Sequence, residues 1–349
     1  MVATKTPAES TTGGEPTGSP SSTGLVVGGA LAAVYLIWGS TYLAIRFGLE
    51  GFPPFLLTAI RFLVAGVIMY TVVRLRGTPA PSRRQWWNAA RVGALMLAGG
   101  VGLVAMAEDL GVGSGVAAAA VAVIPLWAAL VSGLFGRWPL RLEWVGLVVG
   151  FVGVLVLARE GDFVSNPGGL ILLAIAPILW SIGSIWGTHL DLPRPAMATA
   201  TQLLAGGAVL LVLGALRGER ITEVPSASAW LALGYLIVFG SIVGYTAYVY
   251  LLRTVRPALA TSYAYANPVV AVALGVTLGA ELVTGPVFIA LPLILAGIGL
   301  AALAPRRARR EREPVSVSSS LGEEGRDVSM DTLSTTESPE PEEWGVDAA

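Results

Sequence analysis

One apolar unit of this chain occurs twice, and that repetition restricts its fold more than any other feature. Residues 31–66 read LAAVYLIWGSTYLAIRFGLEGFPPFLLTAIRFLVAG: an apolar run through Trp38, Gly39 and Ser40, a break between Glu50 and Pro54, and a second run through Thr58, Arg61 and Gly66. Trp180 follows Trp38 by 142 positions. Pro195, Thr199, Gln202 and Gly207 follow Pro54, Thr58, Arg61 and Gly66 by 141. Self-similarity at a fixed period marks an architecture built by reusing one supersecondary unit.

The unit belongs in lipid. Of 349 residues, 54% are hydrophobic and 13% charged, with a mean hydropathy of +0.71. That charged share is about half of what a soluble domain carries, too little to coat so much apolar surface in water. Several runs reach the roughly 20 residues that cross a hydrocarbon core about 30 Å thick. The chain has no cysteine and one histidine, His189. Disulfides, thiolate metal sites and multi-histidine centres are therefore excluded.

Ten helices are expected. The first five run over about 25–47, 55–73, 90–107, 115–135 and 142–158. The second five cover about 169–188, 195–216, 229–252, 258–279 and 286–304. Residues 1–24, rich in Thr, Ser, Gly and Pro, and residues 305–349, Arg-rich and then Ser-, Glu- and Pro-rich, read as disordered tails. The link 74–88 carries Pro79, Pro81, Arg83 and Arg84 before Trp86 and Trp87, the pattern of an exposed basic loop with an interfacial aromatic anchor. Gly146, Gly150 and Gly153 place small residues along one face of the fifth helix, which permits close packing. The fold class is thus an all-α polytopic membrane protein of ten transmembrane helices, with units over 25–158 and 169–304.

Arginine sets the orientation. Arg74, Arg76, Arg83 and Arg84 lie between helices 2 and 3, Arg137 and Arg141 between 4 and 5, Arg253 and Arg256 between 8 and 9, and five more follow helix 10. The positive-inside rule puts these links, and with them both termini, in the cytoplasm. The 6–7 link is ambiguous, since Asp191 offsets Arg194, and Arg217 and Arg220 fall on the opposite side. An odd number of helices per unit makes the second unit start from the other side of the membrane. The two units are then inverted, as in many secondary transporters that open a central site to each side in turn.

Candidate residues follow from what lipid tolerates. Pro125 and Pro268, 143 apart, fall mid-helix in matched positions, where each removes a backbone hydrogen bond and favours a kink. Trp38, Tyr42, Trp127, Trp180, Tyr263 and Asn267 are candidates for a shared cavity, since polar groups at membrane depth face protein or water. Packing or an interfacial belt is the competing use of each ring. Arg61 lies seven residues into helix 2, where it either snorkels or attracts an anionic group, and it is a further candidate for coupling or gating. Glu108, Asp109 and Glu281 are the acidic candidates for coupling or gating, and none stands at a helix centre. The glycine-rich stretches 99–102 and 111–115 lack the strand–turn–helix setting and terminal Gly-Lys-Ser/Thr of a phosphate loop. With no catalytic or metal set in view, an enzyme or a passive scaffold fits less well than a transporter, and no cofactor or metal is expected. The expected partners are membrane lipids and a small solute, with no nucleic acid; the oligomeric state is open.

Together Trp38-Gly39-Ser40, the Pro53-Pro54 to Arg61 spacing, Ala107-Glu108, Ser114-Gly115, Ile124-Pro125-Leu126, Asn267-Pro268-Val269, Glu281 and Gly297-Ile298-Gly299 resemble the EamA-type permeases of the drug/metabolite transporter superfamily. The resemblance covers about residues 25–304 and is nearest to bacterial inner-membrane exporters with a Trp-Gly-Ser-x-Tyr first helix. It implies two inverted EamA repeats, export of a small metabolite or drug-like solute (import or exchange being the alternative), and a cavity lined by helices 1, 3, 4, 6, 8 and 9. One departure concerns the glutamate after the fourth helix. The second repeat has Glu281, whereas the first has Arg137-Trp138-Pro139.

Overall fold

A computed structural model describes residues 20–158, 167–278 and 285–303 of the protein. Among these residues all regular structure is helical. The first half contains α1 (Pro20–Leu49), α2 (Pro54–Leu75), α3 (Arg83–Gly93), a π-helical segment π1 (Ala94–Gly102), α4 (Leu103–Asp109), α5 (Ser114–Val121), α6 (Ile124–Leu134) and α7 (Arg141–Ala158). The second contains α8 (Pro167–Gly187), α9 (Pro195–Leu216), α10 (Ala227–Tyr235), π2 (Leu236–Val243), α11 (Gly244–Thr254), α12 (Pro257–Ala260), α13 (Tyr263–Leu278) and α14 (Gly285–Leu303).

Seven helical segments among the described residues are long and apolar enough to cross a membrane: 24–49, 54–75, 83–109, 117–134, 167–187, 195–216 and 227–254. Large apolar side chains also stand on the outer surface, including Leu36, Val67, Val148, Ile171, Leu231 and Phe288. In water such a surface would drive association; in hydrocarbon it is the natural exterior. The protein is an all-α polytopic membrane protein.

The repeat in the sequence is a repeat in the helices. α2 and α9 are both 22 residues long, and each starts on the repeated proline, Pro54 or Pro195. Proline suits a first helical position because its missing N–H would lack an intrahelical partner there anyway. The two helices pack along each other, as do α7 and α14. Their contacts are reciprocal. A Cβ on Gly66 would meet Leu204 Cγ at 2.9 Å, and a Cβ on Gly207 would meet Leu63 Cγ at 2.9 Å. Residue number rises on α2 as it falls on α9, so these matched helices run antiparallel. In the same way a Cβ on Gly153 would meet Ile294, and one on Gly297 would meet Gly150 and the carbonyl of Gly146. The glycines of α7 thus let α14 approach closely.

Two expectations need correction. Residues 83–88 are helix rather than exposed loop, because Ser82 and Gln85 form a capping box. Ser82 Oγ accepts from the Gln85 N–H at 3.2 Å, and Gln85 Oε1 accepts from the Ser82 N–H at 3.1 Å. That reciprocal pair satisfies two donors and moves the helix start seven residues earlier than expected. α1 likewise begins at Pro20, inside the expected tail. The prolines of the fourth and ninth runs stand at different distances from the breaks in those runs. The fourth run breaks at Ala122–Val123, and Pro125 follows as the second residue of a new helix. The ninth breaks at Thr261–Ser262, while Pro268 sits inside the continuous α13. Glu281 lies outside the described residues, as do 1–19 and 304–349.

Candidate functional site

Three devices position the centre of the molecule. The first is a pair of π segments at matched places, Ala94 and Leu236 being 142 residues apart. A π turn widens the helix and frees it from strict i→i−4 bonding, a distortion common at functional sites. In π2 the Ser241 hydroxyl donates to the Leu236 carbonyl at 3.0 Å, and the Gly240 carbonyl accepts from Trp38 Nε1–H at 3.0 Å. The second is Pro177, within α8, which cannot donate to the carbonyl of Leu173. The third is small residues beside the large rings. A Cβ on Gly100 would meet Trp180 Cε3 at 2.7 Å, and one on Gly240 would meet the Arg61 guanidinium at 2.7 Å.

The tryptophans that the repeat pairs touch one another. Trp38 and Trp180 stand edge to face, 5.4 Å between centroids at 82°. Tyr263 packs edge-on to Trp38 at 4.7 Å, and Tyr248 lies against both indoles at 5.1 and 5.5 Å. These separations and tilts are those that aromatic quadrupoles favour. The polar edges are satisfied as well: Trp180 Nε1–H donates to Tyr248 Oη at 3.2 Å, and Tyr248 Oη–H donates to Ser184 at 2.9 Å.

A cavity of about 70 Å³ opens beside this cluster, walled by Trp38, Tyr42, Arg61, Pro177, Trp180, Tyr263 and Asn267, with Gly100 of π1 and Gly240 of π2. At 10–15 Å³ per water on this measure it holds about five waters. Two polar atoms in its wall lack a hydrogen-bond partner among the described residues: Arg61 Nη1 and Asn267 Oδ1. Arg61 is 4% exposed and Asn267 1%. Arg61 Nε–H donates to Ser241 Oγ at 2.8 Å, and Asn267 Nδ2 reaches Tyr42 Oη at 3.4 Å.

The wall therefore brings together Trp38, Tyr42, Trp180, Tyr263, Asn267 and Arg61. It leaves out Trp127, which is half-buried on α6, where Ile124 reaches the cavity instead. Pro125 and Pro268 are buried outside the wall, next to the lining residues Ile124 and Asn267. Arg61 does not snorkel: its Nε–H is bonded inward to Ser241, and Gly240 leaves room for the guanidinium. Glu108, 8% exposed, keeps both carboxylate oxygens without a hydrogen-bond partner among the described residues, but it is not in the wall. Asp109 is exposed. Pro177, Gly100 and Gly240 are wall residues that pattern reading overlooks: the two glycines lie in segments whose π geometry has no compositional signature.

The EamA-like transporter family profile matches residues 26–159 and 167–303. The chain belongs to the EamA-like transporter family. This EamA protein is 46% identical over 275 residues, 79% of its length and 90% of the other's, to the uncharacterized inner membrane transporter YedA of Escherichia coli K12. It is 30% identical over 276 residues, 74% of its own length and 88% of the other's, to protein PecM of Dickeya dadantii. A crystal structure of another protein shares the fold at a TM-score of 0.66 with 24% identity, covering 83% of this chain and all of that one (100%). EamA members form a non-catalytic class, and among the described residues no three His, Cys, Asp or Glu side chains cluster as a metal site.

Proposed function

We propose that this EamA protein is a secondary transporter, exporting a small metabolite or drug-like solute across the bacterial inner membrane by alternating access. Seven long apolar segments, together with α7, α12–α13 and α14, make ten membrane crossings in two inverted units, 25–158 and 169–304. The observation that carries the reading is the reciprocal antiparallel packing of the matched helices, Gly66 on Leu204 and Gly207 on Leu63. Two copies of one unit that meet antiparallel present opposite ends to the same side of the membrane. Rocking one against the other would expose a site between them to each side in turn. The Trp38–Trp180 contact and the cavity beside it are where such a site belongs. Irregular backbone at π1, π2 and Pro177 is tolerated at that depth where protein or a wet cavity covers it.

The rings supply an apolar surface for the solute, and Asn267 supplies a directional hydrogen bond. The Escherichia coli relative is named an inner membrane transporter, and the same location with both termini cytoplasmic is proposed here. Reporter fusions at Gly77 and Gly111 test the topology: the first is expected to report cytoplasm and the second the opposite side. Flux in proteoliposomes tests the site. Trp180→Ala is expected to abolish saturable transport with insertion intact, and Asn267→Ala, removing about 1 kcal/mol, to weaken apparent affinity several-fold. Unchanged flux in both variants would place the pathway elsewhere.

A further inference from the structure

Arg61 and Gln202 occupy the same place in the two units, 141 residues apart, and both are buried. Gln202 is neutral and engaged: its Oε1 accepts from Tyr245 Oη–H at 2.8 Å. Arg61 is cationic and only partly engaged. Its Nε is bonded to Ser241 while Nη1 has no partner among the described residues, and the ion pairs found among them are Arg217–Glu219 and Arg256–Glu143. A neutral side chain therefore suffices to brace this position in the fold. A guanidinium here adds desolvation cost with no anion among the described residues bonded to it. What it adds in return is two nitrogens in a fork that matches a carboxylate. Gly240 leaves the room that fork needs.

Resting on the reading of this cavity as the transport site, we infer that its solute is a small organic monoanion: a carboxylate on Arg61, a compact apolar body against Trp38 and Trp180, and a hydrogen-bond donor toward Asn267 Oδ1. Each part of that description answers a wall feature. One cation in the wall matches one negative charge, so a doubly charged phosphate would be left half-neutralised. A cationic solute would meet Arg61 as a like charge. The unpartnered Asn267 Oδ1 calls for a hydroxyl or amine on the solute. The cavity volume of about 70 Å³ is roughly half of the 150 Å³ that accommodates a benzene ring, so a hydroxy acid of eight heavy atoms enters only as the wall moves outward on binding.

Four probes of one carbon skeleton separate these features: 2-hydroxy-3-methylbutanoate, 3-methylbutanoate, 2-hydroxy-3-methylbutanamide and 3-methylbutylamine. Binding is measured by calorimetry on the full chain in nanodiscs, and flux in proteoliposomes. The hydroxy acid is expected to bind at least about ten-fold more tightly than its neutral amide, the gain expected of a charge-assisted hydrogen bond. The acid lacking the hydroxyl is expected to bind several-fold less tightly than the hydroxy acid, and the amine not at all. Arg61→Gln is expected to reduce the acid-over-amide preference to less than two-fold, and Arg61→Lys to retain part of it. The wild-type panel stands even if Arg61→Gln fails to insert. An amide or amine that matches the acid in wild type, an acid preference that survives Arg61→Gln, or no binding by any probe would overturn the inference. If the amide binds and moves through the protein, and Trp180→Ala stops it, the transport reading survives and only the anion falls. If the acid binds and no probe moves, the transport reading falls.

Discussion

The two halves of this EamA protein are alike along the α2–α9 seam and unlike at one matched pair on those same helices, Arg61 and Gln202. At the α2–α9 seam each residue has its counterpart: Gly66 receives Leu204 as Gly207 receives Leu63. A few residues away the symmetry lapses. Arg61 lines the cavity with a free nitrogen, whereas Gln202 lies outside that wall with its oxygen bonded to Tyr245. The seam explains why both copies keep glycine, since helices in lipid associate by close packing and not by excluding water. A duplicated unit can keep its scaffold in both copies while its polar site diverges in one.

Exchange of the unlike pair breaks the comparison most severely. Gln202→Arg buries a second guanidinium where Tyr245 can only share a hydroxyl, and is expected to cost about 3–5 kcal/mol, the scale for an uncompensated buried charge. Arg61→Gln is expected to do the reverse. Thermal stability rises, because an underused charge leaves a buried site, while the acid-over-amide preference is lost. Thermal unfolding in detergent reads both, and a loss of stability in Arg61→Gln would make Arg61 a brace after all.

The like pair gives a smaller effect with a sharper form. Gly66→Val and Gly207→Val each force a side chain against a leucine backbone nitrogen, at 2.9 Å from Leu204 and 3.0 Å from Leu63. Each is expected to cost about 1–3 kcal/mol, by equal amounts within experimental error. Unequal losses would mean that the seam is not a two-fold one. Smallest is Tyr245→Phe, which removes the bond to Gln202. It is expected to cost about 1 kcal/mol of stability and to leave the acid-over-amide preference unchanged.

Much of this arrangement is legible in the sequence, and what is not has physical causes. Long apolar runs with proline at Pro54 and Pro195 announce helices whose boundaries hold to within two residues. The start at Arg83 is hidden because its capping box, Ser82 with Gln85, sits among prolines and arginines that read as loop. The π segments are invisible: Trp38 and Ser241 donate to carbonyls of Leu236–Val243, and those are contacts across the fold or within the distorted turn itself. Trp38 and Trp180 meet because a repeat brings equivalent depths together, whereas Tyr263 and Asn267 join them, and Trp127 does not, without any matching residue in the other half to say so. Arg61 is the informative ambiguity. Its burial depends on Gly240, 179 positions away, which no local pattern near residue 61 reveals.

A transporter that works by alternating access opens its cavity to each face of the membrane in turn. The chain has no cysteine of its own, so Thr41→Cys in the cavity wall supplies a single reactive thiol. Its labelling rate by an impermeant maleimide is measured in right-side-out and in inverted vesicles, with cysteines at Gly77 and Gly111 as one-sided controls. Thr41→Cys is expected to react from both sides, and 2-hydroxy-3-methylbutanoate to raise one rate while lowering the other. Labelling from one side alone would contradict alternating access, and a solute that raised both rates together would indicate a continuous pore.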